Sequence, residues 1–206
     1  QPFQDLEARA VADPDSPTLA RDLSGGWFDA GDSNKYVTYA VSPVHQLLAA
    51  YEENPAAFTD DFNIPESGNG VPDVIDEVKW EIDWLKKMQN ADGTALLKVG
   101  QITYNEVTPP SASPEPRYYV PTCTSATVAV AGMFAHAALS FQRYPALAAY
   151  ATGHKYVGIH FHPAANTWTI REWAPGAQAV SLIGDFNNWN RESHPLASSN
   201  SGVWKL

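Results

Sequence analysis

The 206-residue sequence has a single cysteine, Cys123, and few basic residues. One cysteine cannot form an intrachain disulfide, so a metal site would need carboxylates and the six histidines. Those histidines share no spacing that suits zinc, and we predict neither a metal site nor a cofactor. Thirteen Lys and Arg oppose 23 Asp and Glu, giving a net charge of −10. This negative field repels phosphate backbones, so nucleic acid is excluded as an expected partner.

Long apolar runs are also missing. Nowhere do about 18 apolar residues stand together, and the chain does not begin with a basic segment followed by an apolar one. The sequence therefore predicts no membrane partner and no signal peptide in this chain. Hydrophobic residues make up 44% and aromatic residues 12%, which is too much for a disordered acidic chain. We expect a folded protein with one large domain, or one domain and a small module.

Charge and periodicity divide the chain into residues 1–153, with a net charge of −11, and residues 154–206, with +1. The first part has a helical pattern, in which apolar residues recur every three or four positions from Ile75 to Met88. We predict helices over 71–89, 124–144 and 37–52, the last weakened by Pro43. Proline- and serine-rich stretches at 53–70 and 107–121 are predicted to be long, functional loops. The second part alternates, which predicts short strands over 156–161, 167–173, 179–184 and 203–206.

The strongest chemical signal is Ser-Gly-Gly-Trp-Phe-Asp-Ala-Gly-Asp at residues 24–32. Its glycines predict a tight turn that presents Asp29 and Asp32 beside aromatic side chains. Glycosidic hydrolysis requires paired carboxylates, because one protonates the leaving oxygen while the other activates water or attacks the sugar. The alternative is a turn rich in Asp and Gly that caps the helix beginning near Tyr36.

Residues 22–40 closely resemble the catalytic-base motif of family 9 glycoside hydrolases, the inverting endoglucanases. Residues 63–77, 84–89 and the helix from Ser125 agree with that family in order and spacing. The resemblance implies an extracellular protein that acts on β-glucan and a partial (α/α)6 barrel over residues 1–153. It also implies that Asp32 is the general base, that Asp29 helps to hold the attacking water, and that Trp27 shapes the substrate site.

The family's general acid, a glutamate near the end of a longer catalytic domain, has no counterpart in this sequence. Twelve barrel helices of about 11 residues each do not fit in the first part of the chain. We therefore expect an open helical edge that exposes apolar side chains and favours self-association. We also expect the chain alone to be inactive, because the inverting reaction needs a proton donor opposite the base.

Residues 155–161, 169–175, 182–189 and 191–196 resemble the N-terminal β-sandwich of glycogen branching enzymes, a family 48 carbohydrate-binding module. The resemblance implies a small antiparallel β-sandwich-like module over residues 154–206 that binds α-glucan by stacking Trp189 on the sugar. Burial of Trp189 in the core is the alternative, and core positions are expected for Trp173 and Trp204.

The two resemblances concern different glucan linkages, and this pairing favours a chimeric or spliced chain. Our first hypothesis is an endo-β-1,4-glucanase type of hydrolase, of which this chain holds the base but not the acid. The alternative is a non-catalytic glucan-binding or chimeric scaffold protein with α-glucan binding in its β module.

Overall fold

The computed structural model describes residues 5–30, 33–102, 112, 116–147, 158–163, 165–173, 177–198 and 203–206. Its described α-helices are α1 (Val41–Glu53), α2 (Asp73–Met88) and α3 (Thr124–Phe141). They confirm the three helices expected from the sequence. Helix α1 begins four residues later than predicted and ends one residue later, α2 is shorter at both ends, and α3 ends three residues earlier. Pro43 lies in the first turn of α1, where a backbone N–H has no intrahelical partner, so it does not break the helix.

Helices α1, α2 and α3 pack against one another around the main hydrophobic core. The apolar stripe expected on α2 is buried in this core. Its members are Ile75, Val78, Ile82, Leu85 and Met88. Pro72 directly precedes the helix as its N-cap residue. Because this stripe is buried, the other faces of α2 are the ones that contact the surrounding loops.

Helix α3 is apolar on two sides. Ala126, Val130 and Met133 belong to the core, whereas the opposite face is exposed and includes Val128, Ala131, Ala135 and Leu139. By length and hydropathy alone α3 is able to cross a bilayer, although a core helix of a globular protein has the same properties. Its contacts with α1 and α2 identify α3 as a helix packed on one face and uncovered on the other.

A small four-stranded sheet was not expected from the sequence. It contains β1 (Arg9–Ala10), β2 (Lys35–Tyr36), β3 (Lys98–Gly100) and β4 (Tyr118–Tyr119), in the order β1-β4-β3-β2. The pair β1 and β4 is parallel and the other pairs are antiparallel. Strands of two or three residues show no alternation, so their pattern is invisible in the sequence.

The second sheet contains β5 (Gly158–His162), β6 (Thr167–Trp173), β7 (Ala197–Ser198) and β8 (Val203–Lys205), in the order β5-β6-β8-β7. Every pair in it is antiparallel, as expected. The predicted strand over 179–184 is wrong. That segment has a single bridge, Ser181 to Pro195, and is followed by a 3-10 turn at Asp185–Asn187. Strand β7 was missed because it has only two residues.

The expected core tryptophans of this second unit have different outcomes. Trp204 is half-buried, and the side chain of Trp173 lies outside the described residues. Trp189 is 62% exposed, so its alternative placement in the core is wrong. Trp168 is exposed to the same degree and contacts Phe161 across the β5–β6 hairpin, with ring centroids 4.8 Å apart.

Candidate functional site

The glycine-rich turn before Asp29 lies against one face of α2. Gly26 has a φ of +71°, and a Cβ there would lie 2.6 Å from the indole of Trp84. Both the backbone conformation and the close approach therefore require glycine. The indole N–H of Trp80 donates to the Gly26 carbonyl oxygen at 3.3 Å and fixes the turn from the same helix.

Two carboxylates of α2 hold Trp27. The backbone N–H of Trp27 donates to Oε2 of Glu81 at 2.7 Å, and its indole N–H donates to Oε1 of Glu77 at 2.7 Å. Glu77 and Glu81 are four residues apart, so they lie one turn apart on the same helix face. Helix α2 thus determines both the backbone position and the ring orientation of Trp27.

Trp27 and Asp29 line an open pocket of about 210 Å³, together with Phe28, Tyr36, Tyr39, Ala40, Pro43 and Glu81. Aromatic faces beside carboxylates suit a sugar, because the rings cover its C–H faces while the carboxylates bind its hydroxyls. Asp29 is exposed, and its backbone N–H donates to the Asn34 carbonyl oxygen at 2.9 Å. The pocket therefore combines a fixed aromatic wall with an accessible acid.

A buried ionic network supports the far end of this turn. Asp5 is paired with Lys35 at 2.6 Å and with Arg117 at 2.7 Å. Arg117 also donates to the hydroxyl of Ser33 at 2.9 Å and to the Ser33 carbonyl oxygen. The ammonium of Lys35 donates to the carbonyl oxygens of Leu23 and Gly25. The chain on both sides of residues 31 and 32 is thus anchored to buried charges.

Burial changes the proton affinity of two groups here. Loss of solvent raises the pKa of Glu81 to about 7, against the opposing effects of the Trp27 N–H and of Lys35, while Glu77 adds repulsion. Loss of solvent also lowers the pKa of Lys35, although Asp5 counteracts it. Strongly perturbed carboxyls in a cleft are frequent in functional sites.

The structure brings together two of the four site residues expected from the sequence. Trp27 and Asp29 share the pocket, whereas Asp32 lies outside the described residues. Trp189 belongs to the second unit, where its indole N–H donates to Oδ1 of Asp185 at 2.9 Å. Its φ of +58° is unusual for a bulky residue and helps to direct the ring outward.

Sequence reasoning missed Glu77, Glu81, Arg117 and Asp5. Acids on a helix surface are usually solvated, and nothing in the local pattern showed that the chain 54 residues earlier would cover Glu81. The spacing of four residues between Glu77 and Glu81, which places them on one face of α2, was the one available signal.

Two other features lie away from this pocket. A cavity of about 350 Å³ near Arg9 and Asp15 is larger but has no aromatic lining residue among those described. His45 and His136 meet between α1 and α3 with their Nδ1 atoms 2.7 Å apart. Within the described part of the chain, no group of three or more His, Cys, Asp or Glu side chains has an arrangement suited to a metal ion.

The family model for glycosyl hydrolase family 9 matches residues 4–155, most of the chain. The chain belongs to glycosyl hydrolase family 9. It is 37% identical over 131 residues to Endoglucanase D of Acetivibrio thermocellus, covering 60% of this chain and 20% of that protein. The crystal structure of a metagenome-derived family 9 endoglucanase superposes with a TM-score of 0.65 at 37% identity, covering 71% of this chain and 27% of the other. The family 9 chain thus spans about a fifth to a quarter of the length of these relatives.

Residues 157–206 match a second model, carbohydrate-binding module 48 (isoamylase N-terminal domain). Over 60 residues the family 9 chain is 45% identical to the 1,4-alpha-glucan-branching enzyme 2-2 of Arabidopsis thaliana, covering 29% of this chain and 7% of that enzyme. A family 9 segment is therefore followed directly by a module of a different carbohydrate family.

Proposed function

We propose that this chain provides the base side of an inverting endo-β-1,4-glucanase site. Asp32 is the general base that deprotonates the attacking water, and Asp29 helps to hold that water. The observation that carries the proposal is the pocket in which Trp27, Tyr36 and Tyr39 stand beside the Asp29 carboxylate. Membership of family 9 supports the assignment of the two aspartates.

The proposal includes a position for the segment in the whole enzyme. Helices α1 to α3 are part of an (α/α)6 barrel over residues 1–153, and residues 154–206 are part of a β-sandwich. Inversion requires an acid roughly 6.5–9.5 Å from the base. No glutamate in these 206 residues matches the family's general acid, so the proposal takes the proton donor from a further part of the enzyme. An extracellular location fits a substrate that is a polysaccharide too large to enter cells.

The missing acid gives a direct test of the base. Hydrolysis of carboxymethylcellulose requires protonation of the leaving oxygen. Without the general acid, the purified chain should release no reducing sugar from this polymer. A 2,4-dinitrophenyl β-cellobioside has a leaving group that departs without a proton, so the chain should hydrolyse it slowly. Asp32→Asn should lower that rate at least about 100-fold, the usual contribution of a general base.

Asp92→Asn is the matched control, because Asp92 is an exposed acid in the loop after α2 whose carboxylate bonds only locally, to Thr94. It should leave the rate unchanged. Equal rates for Asp32→Asn and the unaltered chain would remove Asp32 from the base role.

A second function, α-glucan binding, is favoured by the exposure of Trp189. Its ring is 62% exposed and is held by Asp185, so it is available for stacking on a sugar face. Maltoheptaose should quench tryptophan fluorescence in the chain, and Trp189→Ala should abolish the quenching. Trp168→Ala, which removes an equally exposed ring, should retain it. Quenching that persists without Trp189 would refute this site.

We also propose that the chain self-associates through the exposed face of α3. Val128 and Leu139 are 65% and 59% exposed, and they lie on the same helix face as the exposed Ala131 and Ala135. A continuous apolar stripe of this kind favours burial against a second surface.

A further inference from the structure

We propose that Glu81 is a positioning residue of the hydrolytic site, and that its buried carboxyl holds the Trp27 backbone so that the indole and the Asp29 carboxylate face one pocket. This inference rests on the function proposed above, since it assigns the residue that gives that site its shape.

Glu81 restrains the Trp27 backbone directly, whereas Trp80 and Lys35 hold the two glycines before it. Gly25 and Gly26 precede Trp27, and two consecutive glycines allow the chain many conformations. Only 1% of Glu81 is exposed, and its Oε2 accepts the Trp27 N–H at 2.7 Å. Asp29 follows two residues later, so rotation of the Trp27 peptide would move the Asp29 carboxylate as well.

Glu77 holds the same tryptophan in a different way. It accepts the indole N–H from an exposed position on α2. Glu77 therefore orients the ring, whereas Glu81 fixes the main chain. This difference makes Glu77→Gln a matched control, because it alters a carboxylate one turn away that touches the same residue.

The charged groups near Glu81 lie on β2, on α2 itself and in the glycine-rich turn. Lys35 on β2 attracts the ionised carboxylate, and Glu77 on α2 repels it. Asp29, Tyr36 and Tyr39 line the same pocket. Burial is the largest influence, and it brings the pKa of Glu81 to about 7. A hydrogen bond to an ionised acceptor is about twice as strong as one to a neutral acceptor, so protonation loosens the hold on Trp27.

The first test needs no sugar. In ¹H–¹⁵N NMR spectra, the Trp27 amide should titrate with a midpoint near pH 7. Glu81→Gln has no proton to lose and should abolish the titration. Glu77→Gln should retain it, displaced slightly to lower pH because one repulsive charge is gone. An amide that does not titrate, or that titrates equally in Glu81→Gln, would overturn the proposal.

The second test measures cellotetraose binding by fluorescence. Glu81→Ala should weaken binding about tenfold, equal to about 1.4 kcal/mol, because the turn is released. Glu81→Gln retains an oxygen acceptor for the Trp27 N–H and should restore affinity to within about threefold of the unaltered chain. A Glu81→Gln variant as weak as Glu81→Ala would contradict positioning through the hydrogen bond.

The two tests separate the two claims. If the unaltered chain fails to bind cellotetraose, the β-glucan site is wrong, yet the amide titration still decides whether Glu81 holds Trp27. If the chain binds cellotetraose but the Trp27 amide titrates equally with and without Glu81, the β-glucan site is supported and the positioning role is wrong.

Discussion

Gly26 and Trp84 are the two residues that determine how closely the glycine-rich turn approaches α2. The turn lies on the indole because no side chain separates the two, and its positive φ suits glycine. The close approach in turn brings the Trp27 N–H within reach of Glu81. The absence of a side chain at Gly26 therefore permits the contact with Trp84 and the hydrogen bond between Trp27 and Glu81.

Gly26→Ala should destabilise the chain by about 2–4 kcal/mol, because left-handed backbone costs about 1 kcal/mol and the clash with Trp84 about 1–3 more. Gly68→Ala is the matched control. Gly68 also has positive φ, at +89°, but a Cβ there meets nothing within 4 Å. Its cost should be the backbone term of about 1 kcal/mol alone. Equal losses in urea unfolding would show that Trp84 does not confine the turn.

Glu81 should make stability depend on pH. Its folded pKa is raised from 4.5 to about 7, so the folded chain binds this proton more tightly than the unfolded chain. The resulting stability is complete below about pH 4.5 and is lost as pH rises to about 7, by at most about 3 kcal/mol. Urea unfolding at pH 5 and pH 8 should show the loss, and Glu81→Gln should reduce it. An undiminished slope in that variant would assign the effect to other groups.

Local pattern explains which site residues were predictable. Trp27 and Asp29 belong to one continuous motif, so the local sequence alone predicts that their side chains lie close together. Glu81 and Arg117 act at sequence separations of 54 and 84 residues from their partners Trp27 and Ser33. Only the folded chain brings these groups together, and no property of the short sequence around them marks them as buried.

Among the elements, α2 was predictable and the first sheet was not. Five apolar residues at helical spacing describe the buried face of α2 before any tertiary contact is known. By contrast, β1 pairs with β4 through Arg9 and Tyr118, more than a hundred positions apart in the chain. The buried pairs of Asp5 with Lys35 in β2 and with Arg117 beside β4 also join distant parts of the chain, and no periodicity in the sequence indicates them.

Asp5 is the centre of that network, and Asp5→Ala should destabilise the chain by about 3–5 kcal/mol, since it leaves Lys35 and Arg117 buried without their counter-charge. Asp22→Ala breaks an exposed pair with Lys87 and two hydrogen bonds from Ser24, and should cost about 1–2 kcal/mol. Thermal and urea unfolding of both variants provide the comparison. Similar losses would mean that the buried pair does not hold β1, β2 and β4 together.

For the molecule as a whole, the exposed apolar face of α3 should determine the association state in solution. Leu139→Glu places a charge in the apolar stripe and should shift the chain toward monomer in sedimentation velocity. Leu6→Glu, at a residue 53% exposed and outside α3, should leave the distribution unchanged. A monodisperse, thermally robust monomer in the unaltered chain would contradict self-association.

We propose above that Asp29 and Asp32 activate water for attack on a β-glucosyl carbon with inversion. Hydrolysis of β-cellobiosyl fluoride tests it most directly, because fluoride leaves with little need for an acid and ¹H NMR distinguishes the first anomer formed. The account predicts that α-cellobiose appears first and that Asp32→Asn stops its formation. Initial β-cellobiose, or no turnover above the solvent rate, would contradict it.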